Sequence, residues 1–96
     1  MKILVLNSFG ATEPFAEENL KKVARKDVEL KIENINPVYP LPHNTLIYNL
    51  MKAANATVER IIKAEQEGYD AVMISCVSDP GLQEAREVVD IPVAGC

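Results

Sequence analysis

Ninety-six residues, 48% of them hydrophobic and 25% charged, leave room for one small core and no second domain. Ten basic against fourteen acidic side chains give a formal charge of −4 with no basic cluster, which argues against nucleic acid or an anionic membrane surface as partner. No stretch approaches the ~18 apolar residues of a membrane span, and the opening MKILVLN reaches a polar residue too soon for a signal peptide, so the expected location is the cytoplasm.

The chain opens with a continuous apolar run, residues 3–6, which reads as a strand covered on both faces. Asn7-Ser8-Phe9-Gly10 breaks it as a loop. Thr12 or Glu13 can cap a helix opening at Pro14, with Ala16, Leu20, Val23 and Ala24 as its apolar positions. Residues 28–35 alternate Val28, Leu30, Ile32 against Glu29, Lys31, Glu33, as a half-exposed edge strand does. Pro37, Pro40 and Pro42 force an irregular connection.

From about residue 44 to 67 the helical period returns. Ile47, Leu50, Met51, Ala54, Val58, Ile61 and Ile62 form the expected apolar stripe, and Gly68 is a natural stop. A buried strand follows at 71–75. A helix is expected from Pro80 to about Val89, with Asp79 as its N-cap and Pro80 at its first position. A last strand covers 91–94. The order βαβαβαβ predicts an α/β fold: a doubly wound, flavodoxin-like parallel sheet in three layers, strand order 2-1-3-4. In such sheets ligands bind beyond the strands' carboxyl ends where the order reverses, here between the first and third strands. Asn7 ends one of these and Cys76 follows the other.

Cys76 has two readings. It is a small buried thiol, or a reactive one facing the amides of a helix start, which favour a thiolate and can hold a carboxylate or an enolate-like oxyanion. Two cysteines, Cys76 and Cys96, do not make a disulfide framework, so both are expected as free thiols. One histidine, His43, and no clustered Cys/His spacing argue against a structural zinc site, and no metal is expected.

The residues MKILVLN at the start, GYDAV at 68–72, CVSDPGL at 76–82, ARE at 85–87 and IPVAG at 91–95 together resemble the aspartate/glutamate/hydantoin racemase superfamily, its hydantoin/allantoin racemase branch above all. Between about residues 9 and 55 the similarity is thin. The resemblance implies a cofactor-independent enzyme of two similar α/β lobes, each bringing one catalytic cysteine to a central cleft. It implies Cys76 as the first-lobe cysteine, Asn7 (with Ser8) as a contact to a substrate carboxylate or ring carbonyl, and the backbone of Val77, Ser78 and Asp79 as N–H donors. The family usually follows its N-terminal Asn with Pro, where Ser8 stands here. Residues 1–96 correspond to the first lobe alone, as if to a truncated reading frame or an excised half, and Cys96 is no substitute for a second-lobe cysteine.

Plainer roles stand beside these. Asn7 suits a turn, Ser8, Ser78 and Asp79 suit caps, His43 suits a solvated loop and Cys96 an inert chain end. The resulting functional expectation is the catalytic lobe of a racemase or isomerase of a hydantoin, allantoin or acidic amino acid. Its partners would be a small-molecule substrate, and a second lobe or a second copy of the chain. The alternative from another class is a non-catalytic flavodoxin-like module binding a small anion or a protein. A cysteine-dependent decarboxylase or cis–trans isomerase would share the same site.

Overall fold

The computed structural model describes residues 1–7, 14–35, 47–75 and 79–95. Seven elements follow one another: β1 (Lys2–Asn7), α1 (Pro14–Val23), β2 (Glu29–Asn34), α2 (Ile47–Gln66), β3 (Ala71–Ile74), α3 (Leu82–Val88) and β4 (Val93–Ala94). The four strands form one parallel sheet in the order β2-β1-β3-β4, as the alternation of elements predicts.

Register divides the side chains between two faces. Leu4 lies beside Lys31 and Val72, Leu6 beside Glu33 and Ile74, and Val72 beside Val93. On this face Leu4, Leu6, Val72, Ile74 and Val93 pack with Ile61 and Ala64 of α2, Ala85 of α3 and Tyr69 to make the core, all between 0% and 5% exposed. Each such large side chain contributes about 1.5–3 kcal/mol by leaving water. The opposite face carries Ile3, Val5, Leu30, Ala71, Met73 and Ala94, and α1 approaches it through Leu20 and Ala24 across a groove of about 370 Å³. Helices thus stand on both faces, as a parallel sheet requires.

α2 ends as its glycine predicts. Gly68 has φ +92°, its N–H donates to Glu65 O at 3.2 Å, and the Tyr69 N–H reaches back to Ala64 O at 3.1 Å. These bonds occupy carbonyls of the last turn, and Tyr69 and Ala64 share the core. The chain then enters β3 at the sheet's amino edge, where Asp70 N–H donates to Lys2 O at 2.8 Å and Lys2 N–H to Asp70 Oδ2 at 2.7 Å.

The expected stripe on α2 is displaced. Its buried positions are Asn49, Ala53, Thr57, Ile61 and Ala64, whereas Ile47 and Met51 are 77% and 63% exposed. Ile61 alone belongs to both sets; Val58 is partly buried against the core beside it. A helix lying tightly on a sheet needs small side chains along its line of closest approach. Ala64 meets that need within the core, and Asn49, Ala53 and Thr57 continue the buried line toward the start of the helix. On α1, Val23 borders the groove beside the sheet and remains 81% exposed.

The start of α3 also departs from expectation. The first helical residue is Leu82, and the N-cap is Gly81 (φ 80°, ψ 6°), with no side-chain cap bond. Asp79 is therefore not the N-cap, and Pro80 is not in the helix. Leu82 N–H donates to Asp79 O at 3.2 Å, which closes a four-residue turn with Pro80 and Gly81 at its centre. Proline suits the second position of a type II turn as well as it suits a first helical turn, and Gly81 at positive φ decides for the turn.

Candidate functional site at the carboxyl edge of the sheet

The carboxyl ends of β1 and β3 meet at the point where the strand order reverses. Ser75 N–H donates to Leu6 O at 2.7 Å and continues the ladder one residue past β3. Leu6 is paired with Ile74, so Asn7 and Ser75 lie side by side at this edge. Asn7 O accepts the Ile35 N–H at 2.8 Å, which fixes the end of β2 to the other side of β1. Asn7 is half-buried and paired in register with Asn34. Its backbone is held by two neighbouring strands, so its side chain starts from a rigid base.

Asp79 is half-buried on the path from β3 to α3 and has φ 45°, a conformation uncommon for a residue with a side chain. Its carboxylate lies across the end of β4: a β-carbon built on Gly95 would stand 2.6 Å from Asp79 Oδ1 and 2.7 Å from its Cγ. On the other side of the turn, a β-carbon on Gly81 would meet Ala54 O at 2.9 Å and Val58 Cγ2 at 3.0 Å. The middle of α2 therefore stands level with the carboxyl edge. Asn49, 1% exposed in the first turn of α2, lies further out along the same buried stripe. The four-residue spacing Asn49-Ala53-Thr57-Ile61 could have revealed that face in the sequence, had small and polar residues been weighed with the large apolar ones.

Of the residues singled out from sequence, Asn7 and Asp79 are described, and both belong to this edge. Ser8, Cys76, Val77 and Ser78 lie outside the described residues, as do His43 and Cys96. Cys76 is the next residue in the chain after Ser75. Among the described residues, no group of three or more His, Cys, Asp or Glu is placed to hold a metal ion. Among them too, no helix is long and apolar enough to cross a membrane.

Among the described residues, a charged cluster links α2 to β2. Arg60 of α2 donates from Nε to Glu33 Oε2 at 2.7 Å, from Nη2 to Glu33 Oε1 at 3.0 Å and from Nη1 to Glu67 Oε1 at 2.6 Å. Those bonds from Arg60 hold the Glu33 carboxyl below its ordinary pKa, against the opposing pull of partial burial. The cluster joins α2 to the edge strand.

Fold and edge together define a doubly wound α/β domain, a class in which ligands bind at the strand-order switch. The sequence pattern of the Asp/Glu/hydantoin racemase family matches residues 3–96, and the chain belongs to that family. It is 37% identical over 97 residues to a hydantoin racemase of Pseudomonas sp. (strain NS671), covering 99% of this chain and 38% of that protein. With a hydantoin racemase of Paenarthrobacter aurescens it shares 33% identity over 102 residues, covering 99% and 41%. An allantoin racemase from Klebsiella pneumoniae superposes with a TM-score of 0.74 at 28% identity, covering 98% of this chain and 38% of that one. The chain thus spans about two-fifths of the length of the curated relatives it matches.

Proposed function

We propose that residues 1–96 form the first catalytic lobe of a cofactor-independent racemase acting on an amino-acid derivative, with a hydantoin or allantoin as the favoured substrate class. The observation that carries this is the Ser75–Leu6 bond at 2.7 Å: it sets Asn7 beside the residue preceding Cys76, at the strand-order switch of a racemase-family domain.

In this reading the Cys76 thiolate takes the proton from the carbon α to a carbonyl, forming S–H. The C–H electron pair passes into the carbonyl, whose oxygen becomes enolate-like. Asn7 Nδ2 donates to a ring carbonyl or carboxylate of the substrate, and Ser8 adds a second polar contact. N–H groups of Val77, Ser78 and Asp79 stabilise the negative oxygen as it develops. Inversion then needs an acid on the opposite face, because a single base tends to return the proton to the side it came from. In the two-lobed arrangement that acid is a second thiol from the other lobe. The lengths of the relatives support this division, since about three-fifths of each lies beyond the match.

The test is thiol reactivity together with hydrogen exchange. In the 96-residue chain carrying Cys96→Ser, Cys76 is expected to alkylate near neutral pH faster than an ordinary thiol of pKa about 8.5. A 5-substituted hydantoin should slow that reaction. Exchange of the hydantoin's α-hydrogen in D₂O should be slight for this chain alone. An inert Cys76 that hydantoin does not protect would defeat the proposal, and rapid racemisation by the monomeric chain would defeat its division into lobes.

A further inference from the structure

The two faces of the sheet are not covered alike. α2 and α3, 20 and 7 residues long, close one face, and Leu4, Leu6, Val72 and Ile74 on it are no more than 1% exposed. The 10 residues of α1 stand on the other, where Ile3, Leu30, Ala71 and Met73 are only partly buried and Ala94 is exposed. A parallel sheet is covered on both faces, and in α/β folds helices do the covering. The groove of about 370 Å³ beside α1 is the part left open. All four strands contribute to it, and every side chain lining it is apolar.

The groove also has a charged end. A second hollow, of about 310 Å³, adjoins it through Ala24, Val28 and Leu30 and is lined by Lys21, Arg25 and Lys26. Arg25 pairs with Asp27 at 3.3 Å, but the two side chains stay 69% and 67% exposed, so this pair is open to water and to competitors. An apolar floor with a cationic rim suits an occupant with one apolar side and acidic residues beside it. A second copy of this chain fits poorly, because pairing through this face brings two cationic rims into one interface.

We infer that the groove seats an amphipathic helix from the portion of a family-length chain outside residues 1–96, with acidic side chains of that helix over Lys21, Arg25 and Lys26. The relatives have such a portion, about three-fifths of each. Only the longer chain of the racemase reading is needed here; the Cys76 chemistry is not.

The probes are overlapping peptides of about twenty residues, each long enough for a ~30 Å helix, that tile the Pseudomonas hydantoin racemase beyond the match. Each is titrated against the 96-residue chain by fluorescence anisotropy. One stretch is expected to bind, and to turn helical in circular dichroism as it does. Val23→Glu and Ala94→Glu, at exposed positions bordering the groove, should each weaken that binding about tenfold. Arg25→Glu combined with Lys26→Glu should weaken it by a similar factor, and the difference should shrink in high salt. Met51→Glu, exposed on the helix of the opposite face, should leave it unchanged. Binding by no peptide, or binding that the groove substitutions leave intact, overturns the inference. Self-association of the chain in sedimentation, abolished by Val23→Glu, overturns it too and gives the groove to a second copy. Peptide binding by a chain whose Cys76 is inert defeats the thiol chemistry instead and leaves the groove with its helix.

Discussion

Arg60 and Glu33 meet at two points, Nε to Oε2 at 2.7 Å and Nη2 to Oε1 at 3.0 Å, and through them the middle of α2 holds the edge strand β2. Their side chains are 19% and 26% exposed, so the pair is sheltered but not dry. A strand at the margin of a sheet has hydrogen-bonding neighbours on one side only, and this two-point contact supplies a second attachment.

Removing one partner should therefore cost stability without touching the core. Glu33→Gln is expected to destabilise the chain by about 1–2 kcal/mol, discounted for partial exposure. Urea unfolding checks this, and a change within error of zero would show the contact to be ornamental. Arg60→Met should cost no less, because it also deletes the bond to Glu67.

The same pair sets a pH dependence. The Glu33 carboxyl is lowered in the folded chain from its ordinary 4.5, chiefly by its bonds from Arg60. A group with a depressed folded pKa contributes stability above its unfolded value and loses it as pH falls through the folded one. The contribution is thus intact at neutrality and fades below about pH 4.5. Glu33→Gln should flatten the acid limb of a stability-against-pH curve; an acid limb of unchanged slope would contradict this.

Two glycines at positive φ should respond differently to alanine. At Gly68 (φ +92°) nothing lies within 4 Å of an added β-carbon, so Gly68→Ala should cost only the backbone strain, about 1 kcal/mol. At Gly81 (φ +80°) the same strain is joined by contacts of 2.9 Å and 3.0 Å with Ala54 O and Val58 Cγ2. Gly81→Ala is expected to cost about 2–4 kcal/mol, with α2 and α3 forced apart. Equal thermal shifts in the two variants would show that space at Gly81 is not limiting.

Burial on α2 separates residues of like chemistry. Ile61→Ala opens a hole among Leu4, Val72 and Ala85 and should cost about 2–5 kcal/mol. Met51→Ala, at a position 63% exposed, should lie within about 0.5 kcal/mol of the parent. Comparable losses at both would restore the stripe read from the sequence.

At the proposed site, Asn7→Ala should leave Cys76 alkylation in the free chain nearly unchanged while weakening its protection by a hydantoin about tenfold. That factor matches loss of one hydrogen bond of about 1.4 kcal/mol to a bound carbonyl. Undiminished protection would remove Asn7 from the substrate contacts.

The sequence determined by itself the class of fold and the strand order. Apolar runs at 3–6 and 71–74, alternation at 28–35 and helical periods between them admit few right-handed windings, and 2-1-3-4 is the simplest. It determined the end of α2 as well, because Gly68 is a local signal whose meaning needs no partner. Tertiary structure alone decided which side of α2 turns inward: Asn49, Ala53 and Thr57 are buried while the larger Ile47 and Met51 stay exposed. It also decided the Asp79-Pro80-Gly81 turn. Those three residues fit a helix start and a type II turn equally well; in the fold Gly81 takes φ 80° with Ala54 O and Val58 of α2 against it. Local propensity ranks conformations one segment at a time; only the packed neighbours determine which of two acceptable local choices leaves no atoms in conflict.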